Sequence, residues 1–333
     1  MGVSNSRDDT AFSLDVSVRD LVEFMLRRGD LRSGPSFTSP SRALEGTRGH
    51  QKLQSSRDDH YRAEVALKWV TVRPTFTLTL RGRIDGVREG PEEIFLEEIK
   101  TITGEWSQKP SDLHWAQLRI YGGIWNRLNP SKPLHLRLTY FHLESDTEYC
   151  FDEKKTPSFV ESFLQEVLEK YLQWLDQHVA RTIQRNVTIE NLTFPFSKLR
   201  AGQASMLEAV RNLHLKGGDM MLEAPTGIGK TMASLFPSIK ALAGEHVRQL
   251  MVVLARTPGQ TVFQEALKLL EQKGAKVKTL SMLAREKVCR RGNKACDPAT
   301  CARREGFFDR LGEARDAAIH ASPDLLNTTA LNE

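Results

Sequence analysis

Three residues within RGRIDGVREGPEEIFLEEIKT, residues 81–101, have types and spacing suited to chemistry: Asp85, Glu98 and Lys100. The stretch reads as two extended runs around a turn. Side chains two apart on a strand share a face, so Glu98 and Lys100 point to one side, and the turn brings the Asp85 end of the first run alongside them. Two carboxylates converging on one point repel each other unless a divalent cation lies between them, and hard oxygen ligands suit Mg²⁺ or Mn²⁺. Such a cation activates water and stabilises charge on a phosphate, while Lys100 positions the nucleophile or neutralises developing charge. The competing reading is a solvated face of a half-exposed hairpin. Gln117 and Tyr121 lie four apart on a helix, so both project from one face and could clamp the substrate or Lys100. His50, upstream in a helical patch, could add an imidazole ligand. Glu64, in YRAEV, is open between support for such a site and an ordinary strand carboxylate.

A second chemistry lies at MMLEAPTGIGKT. A short apolar run enters a glycine-containing loop and leaves into TMASLFPSIKALA, the strand, loop and helix order that a phosphate cradle requires. Ala224, Pro225, Thr226, Gly227, Ile228 and Gly229 form the loop, whose amides from 225 to 229 would face the phosphates. Lys230 would reach the β and γ groups and Thr231 would hold Mg²⁺, so ATP is the expected nucleotide.

These motifs need elements to position them. SVRDLVEFMLRR offers Ser17 as a cap and apolar residues at helical spacing, predicting an N-terminal helix. A short helix is expected around EGTRGHQKLQ. Three strands follow in YRAEVALKWV, TFTLTLRGRIDGV and IFLEEIKT, then a helix in HWAQLRIYGGIW. The runs LHLRLTYFHLES and TEYCFD read as strands before a long helix from PSFVES to ARTI. Residues 187–196 read as a linker, giving expected domains of 1–188 and 189–333. No internal repeat or low-complexity tract is present, which speaks against an array.

The ordered set His50, Asp85, Glu98-x-Lys100 and Gln117-x-x-x-Tyr121 resembles the PD-(D/E)XK nuclease superfamily, in particular its RecB-like branch, over roughly residues 10–185. That resemblance implies a mixed sheet flanked by helices and metal-dependent cleavage of DNA, with His50, Asp85 and Glu98 on the metal. Ile84 stands where the family often has proline. The A-x-T-G-x-G-K-T form of the phosphate loop resembles superfamily 2 helicases. Arg200 and Gln203 in FPFSKLRAGQASM are similar to the adenine-reading motif of the XPD/DinG-type helicases. LMVVLARTPGQ, read as a buried strand followed by Arg256, Thr257 and Gln260, resembles the motif that those helicases lay against the DNA backbone. Cys289, Cys296 and Cys301, in a stretch rich in Arg and Lys, are similar to that family's [4Fe–4S] insert; zinc or free thiols are the alternatives. The fold class implied is a nuclease core followed by an incomplete RecA-like P-loop α/β motor with a cysteine-rich insert. No D-E-x-H box follows Thr231 and no fourth cluster cysteine is at hand, so the motor reads as the front part of a longer nuclease–helicase, in DNA repair or recombination, that binds ATP without appreciable hydrolysis.

Composition bounds the rest. At 333 residues, 40% hydrophobic and 27% charged, the chain can bury two cores, which excludes a disordered or fibrous class. No run of eighteen apolar residues and no hydrophobic leader occur, so a cytoplasmic protein with no membrane partner is expected. A net charge of +5 does not by itself establish a nucleic-acid partner. DNA, single-stranded or forked, and ATP are the expected partners on the motifs alone. The alternative is a non-catalytic DNA-binding or nucleotide-binding fragment.

Overall fold

The computed structural model describes residues 2–5, 12–31, 40–130, 132–244, 246–255, 257–283, 289, 301–321 and 325–326. The chain packs as two units, Met1–Asp176 with Cys296–Arg310, and Gln177–Ala295 with Leu311–Glu333.

In the first unit the period-2 runs become strands. They are β1 (Gly2–Asn5), β2 (Phe12–Ser17), β3 (Arg62–Val72), β4 (Phe76–Glu89), β5 (Ile94–Ile102), β6 (Leu134–His142) and β7 (Thr147–Lys155). The sheet runs β1-β2-β4-β5-β6-β7, with β3 also paired to β4. β2 with β4 and β5 with β6 are parallel, and the other pairs are antiparallel. The alternating apolar residues of β4, Phe76, Leu78 and Leu80, are all buried, as the half-buried pattern requires.

Helices cover this sheet. α1 (Val18–Leu26) starts at Ser17, whose hydroxyl accepts the Asp20 N–H at 3.0 Å, and buries Val18, Leu21 and Val22. α2 (Pro40–Ser55) packs Leu53 on Ile99 and Phe141. α3 (Asp112–Leu128) buries Leu118, Ile120 and Ile124, and α4 (Pro157–Glu190) buries Val160, Leu164 and Tyr171. Residues 187–190, expected within a linker, are the last turn of α4. Ile189 in that turn and Leu192 just after it are apolar and buried in the core of the second unit, which is why this stretch is not an extended connection.

The second unit contains α5 (Gln203–Lys216), α6 (Lys230–Ala241), α7 (Thr257–Gln272) and a two-residue parallel pair, β8 (Thr279–Leu280) with β9 (Leu325–Leu326); α8 is Phe307–His320. Met232, Leu235, Ile239, Leu242 and Leu270 form its core with Ile189 and Leu192. The strands expected at residues 220–222 and 250–254 are not formed, and Met221 and Val253 are 103% and 85% exposed. A parallel strand needs neighbours for its N–H and C=O groups, and among the described residues of this unit only β8 and β9 pair.

Candidate functional site

β4 pairs with β2 along residues 76–81 and with β5 along residues 86–89, so residues 82–85 lie beside neither. Asp85 sits where β4 and β5 part. Its Oδ2 accepts the Ile99 N–H at 2.6 Å, a donor that the diverging ladder leaves without a carbonyl from β4. The fork therefore holds the Asp85 carboxylate against the strand that carries Glu98 and Lys100.

Glu98 is buried, 3% exposed at its side chain. Its Oε1 receives Lys100 Nζ and, at 2.7 Å, Gln117 Nε2; Gln117 Nε2 also reaches the Tyr121 hydroxyl at 3.2 Å, and Lys100 Nζ lies 3.5 Å from Gln117 Oε1. Thus α3 supplies the two residues expected from it, at one end of a continuous polar chain. Tyr121 enters because Gly82 has no side chain: a Cβ there would stand 2.3 Å from the tyrosine ring. Burial pushes the Glu98 carboxyl up to about 7; Lys100 opposes that rise and Asp85 adds to it. Burial also raises the Tyr121 phenol, which keeps it a neutral hydrogen-bonding group.

His50 on α2 places Nδ1 3.7 Å from Asp85 Oδ1. His50, Glu64 and Asp85 each offer a ligand atom within 4.8 Å of the others. A divalent cation fits these residues on two counts. The donors are imidazole nitrogen and carboxylate oxygen, and Glu98 Oε2, buried beside them on β5, has no hydrogen-bond partner. A buried carboxylate oxygen left bare costs free energy that a cation would offset.

Behind the fork, on the opposite face of β5, lies a polar cluster that the sequence reading did not find. Glu97 is fully buried and accepts from Arg57 Nη2 at 2.8 Å, from the Tyr61 hydroxyl at 2.8 Å and from Thr139. Arg57 also bonds Glu148 at 3.0 Å. These contacts tie the segment after α2 to β5, which steadies the helix that carries His50 and Gln54. The available signal was Glu97 itself, a carboxylate at an inward position of a strand built for burial. Gln54 was also missed. Its Nε2 donates to Glu64 Oε1 at 3.0 Å and to the Asp85 carbonyl at 2.9 Å, linking β3 to β4.

In the second unit the phosphate-loop residues form a compact turn before α6. Gly227 and Gly229 adopt φ of +85° and +82°, which favour glycine. Lys230 Nζ donates to the carbonyls of Ala224 and Pro225, each at 2.9 Å, and Thr231 follows in the first turn of α6. Arg200 bonds the Gly227 carbonyl, and Gln203, 3% exposed, donates to the Gly229 carbonyl at 3.4 Å. Arg200 and Gln203 are therefore brought to the loop. Ile228 packs near Gly202.

Gln260 bonds Ser281; Thr257 begins α7, and Arg256 lies outside the described residues. Cys296 also lies outside them, and neither Cys289 nor Cys301 is in a disulfide among the described residues. Arg304, in the Arg- and Lys-rich stretch around the cysteines, is 6% exposed, with its Nε on the Leu31 carbonyl and its own carbonyl accepting the Leu31 N–H at 2.9 Å. No helix among the described residues is long and apolar enough to cross a membrane.

Comparison with known proteins finds two families along the chain. Residues 200–298 match the DEAD/DEAH box helicase family, and residues 17–209 match the PD-(D/E)XK nuclease superfamily. No curated protein matches the chain. The crystal structure of SSO0001 is similar at 18% identity and a TM-score of 0.31, covering 50% of this chain and 79% of its own, a likeness remote in sequence and partial in shape. The nuclease match spans more than half of the chain and contains every residue of the forked site, and the helicase match contains the phosphate loop. The chain carries a DEAD/DEAH box helicase domain and belongs to the PD-(D/E)XK nuclease superfamily.

Proposed function

We propose that this chain is a DNA-processing nuclease–helicase whose first unit cleaves DNA phosphodiesters with Mg²⁺ or Mn²⁺. The observation that carries this reading is the buried Glu98 carboxylate, held on one oxygen by Lys100 and Gln117 and bare on the other, beside Asp85 at the fork. His50, Asp85 and Glu98 would hold the cation, which supplies an activated water and neutralises phosphate charge. Asp85 is fixed by the Ile99 amide, so its free oxygen is aimed rather than mobile. Lys100 orients the attacking water or meets charge developing on the phosphate. Gln117 bridges Glu98 and Tyr121, which keeps the carboxylate and Lys100 from drifting apart.

In the second unit, the loop from Ala224 to Gly229 with Lys230 and Thr231 would bind ATP and its Mg²⁺, and Arg200 and Gln203 would meet the adenine. The finer assignment, an XPD/DinG-type 5′→3′ DNA helicase in repair or recombination, rests on those residues and on Arg256, Thr257 and Gln260 facing single-stranded or forked DNA. The [4Fe–4S] cluster rests on the spacing of Cys289, Cys296 and Cys301 alone. A second reading, a nucleotide-binding fragment without turnover, is favoured for the motor by one observation: Lys230 is turned onto the carbonyls of its own loop. The test is cleavage of matched DNA and RNA strands with Mg²⁺, Mn²⁺ or EDTA. DNA cut in either metal and not in EDTA is expected; no cleavage in any metal sinks the nuclease reading.

A further inference from the structure

The row of side chains beside Lys100 is aromatic. The β5–β6 register sets Tyr140 opposite Lys100 and the β6–β7 register sets Tyr149 opposite Tyr140, so the three share one face of the sheet, about 4.8 Å apart from strand to strand. Tyr140 is fixed from the start of α3: its hydroxyl accepts the Ser111 N–H at 2.9 Å and lies 2.7 Å from His114 Nδ1. Trp106, in the loop between β5 and α3, stacks on the Tyr140 ring with centroids 4.5 Å apart and planes 28° from parallel. Tyr149 and Phe151 stand near the same indole at 63° and 82°, so neither lies flat against its second face. The loop is pinned before it, where His142 Nε2 donates to the Gly104 carbonyl at 3.0 Å. Tyr140 is 3% exposed, whereas Trp106 is half-buried and Glu105, Ser107, Gln108 and Lys109 around it are exposed. The indole thus keeps apolar surface in water that a second flat ring would cover at a gain.

Resting on the reading of the first unit as a DNA nuclease, we propose that Trp106, seated on Tyr140, is a stacking platform for an unstacked nucleobase of single-stranded DNA, next to the phosphate that meets Lys100. A strand crossing Lys100 carries a base one sugar away from each phosphate, and the platform stands one strand of the sheet away from that lysine. In a duplex the neighbouring bases cover both faces of that base, whereas a single strand offers a face that an indole can take whatever the base. Lys109, exposed in the same loop, gives the strand's phosphates a cation on that side. The platform uses none of the residues that would hold the cation. It positions substrate and sets a preference for single strands, and it takes no part in breaking the bond.

The test uses the full chain and short single-stranded DNA oligonucleotides that differ only in one abasic nucleotide beside the mapped cut. For wild type in Mg²⁺ the abasic nucleotide is expected to raise KM about tenfold with kcat little changed, and a duplex of the same sequence to be cut about tenfold less readily. Trp106→Leu, which keeps an apolar side chain on Tyr140 without a ring, should show the raised KM on intact DNA and no added abasic penalty, and Trp106→Phe should restore that penalty. An undiminished penalty in Trp106→Leu, no penalty in wild type, or equal cleavage of duplex and single strand overturns the platform and leaves the nuclease reading standing. If wild type cuts nothing, the nuclease reading falls, and fluorescence anisotropy of labelled strands in EDTA decides the platform alone: an abasic loss of affinity in wild type that Trp106→Leu lacks supports it, and equal losses in the two overturn it.

Discussion

Lys100 stands on β5 within a seven-stranded sheet, 25% exposed at its side chain and bonded to a buried carboxylate. Lys230 begins α6 behind a loop whose neighbouring apolar runs, residues 220–222 and 250–254, pair with no strand among the described residues, and it bonds two carbonyls of that loop. Each lysine is the cation of a motif, yet their scaffolds differ. The forked site is assembled from β4, β5, α2 and α3, elements distant in sequence, and cannot exist without the sheet. The phosphate loop is local, built from two left-handed glycines and a helix start, and forms its turn with little sheet around it. A local motif thus reports its own conformation, whereas a non-local one reports that a whole unit has folded.

Breaking that difference should give its largest effect at the fork. Glu98→Gln and Lys100→Ala are each expected to reduce DNA cleavage by about 10²- to 10⁴-fold, measured as single-turnover rates at saturating Mg²⁺. Circular dichroism of both variants should match wild type. Cleavage within twofold of wild type in both would remove the fork from the chemistry.

Next in size is the scaffold behind it. Arg57→Ala leaves the fully buried Glu97 with Tyr61 and Thr139 but without its counter-charge, so urea unfolding should show a loss of about 3 kcal/mol in the first unit. An unchanged unfolding midpoint would show that the buried cluster does not hold the fork. Lys230→Ala, by contrast, should leave unfolding unaltered and weaken ATP binding by about tenfold or more, the scale of a charge-assisted contact, as followed by calorimetry.

Acidity separates the units further. Burial, resisted by Lys100, raises the Glu98 carboxyl from 4.5 to about 7, so the folded, metal-free protein holds a proton that the unfolded chain has released. Metal-free stability therefore falls as pH rises from about 4.5 to about 7, and cation affinity rises over the upper part of that window as the competing proton leaves. Thermal melts in EDTA at pH 5 and pH 7.5 should show the decline, and Glu98→Gln should flatten it.

How much of this was legible in the sequence follows from the same contrast. Strand alternation at Phe76, Leu78 and Leu80, the Ser17 cap, and the Glu98-x-Lys100 and Gln117-x-x-x-Tyr121 spacings each express a period of the backbone, so they could be read directly. Glu64 opposite Asp85 was legible only by counting the register back from the turn at residues 73–75, and its positive φ has no sequence signature. Arg57, Tyr61 and Thr139 meet Glu97 from three separate segments, which no local pattern encodes. The apolar runs at 220–222 and 250–254 have the composition of buried strands, but strand formation depends on neighbours rather than on the run itself. Val253→Ser accordingly should shift stability by no more than about 0.5 kcal/mol, the smallest effect expected here, whereas a core strand would lose several times that.

The most direct measurement places wild type, Glu98→Gln and Lys230→Ala side by side on a labelled DNA strand, in Mg²⁺ without ATP. Wild type and Lys230→Ala should cut at the same rate and Glu98→Gln should not cut, because the proposed reading draws every residue of the nuclease site from the first unit. Equal cleavage by Glu98→Gln, or loss of cleavage in Lys230→Ala, would contradict it.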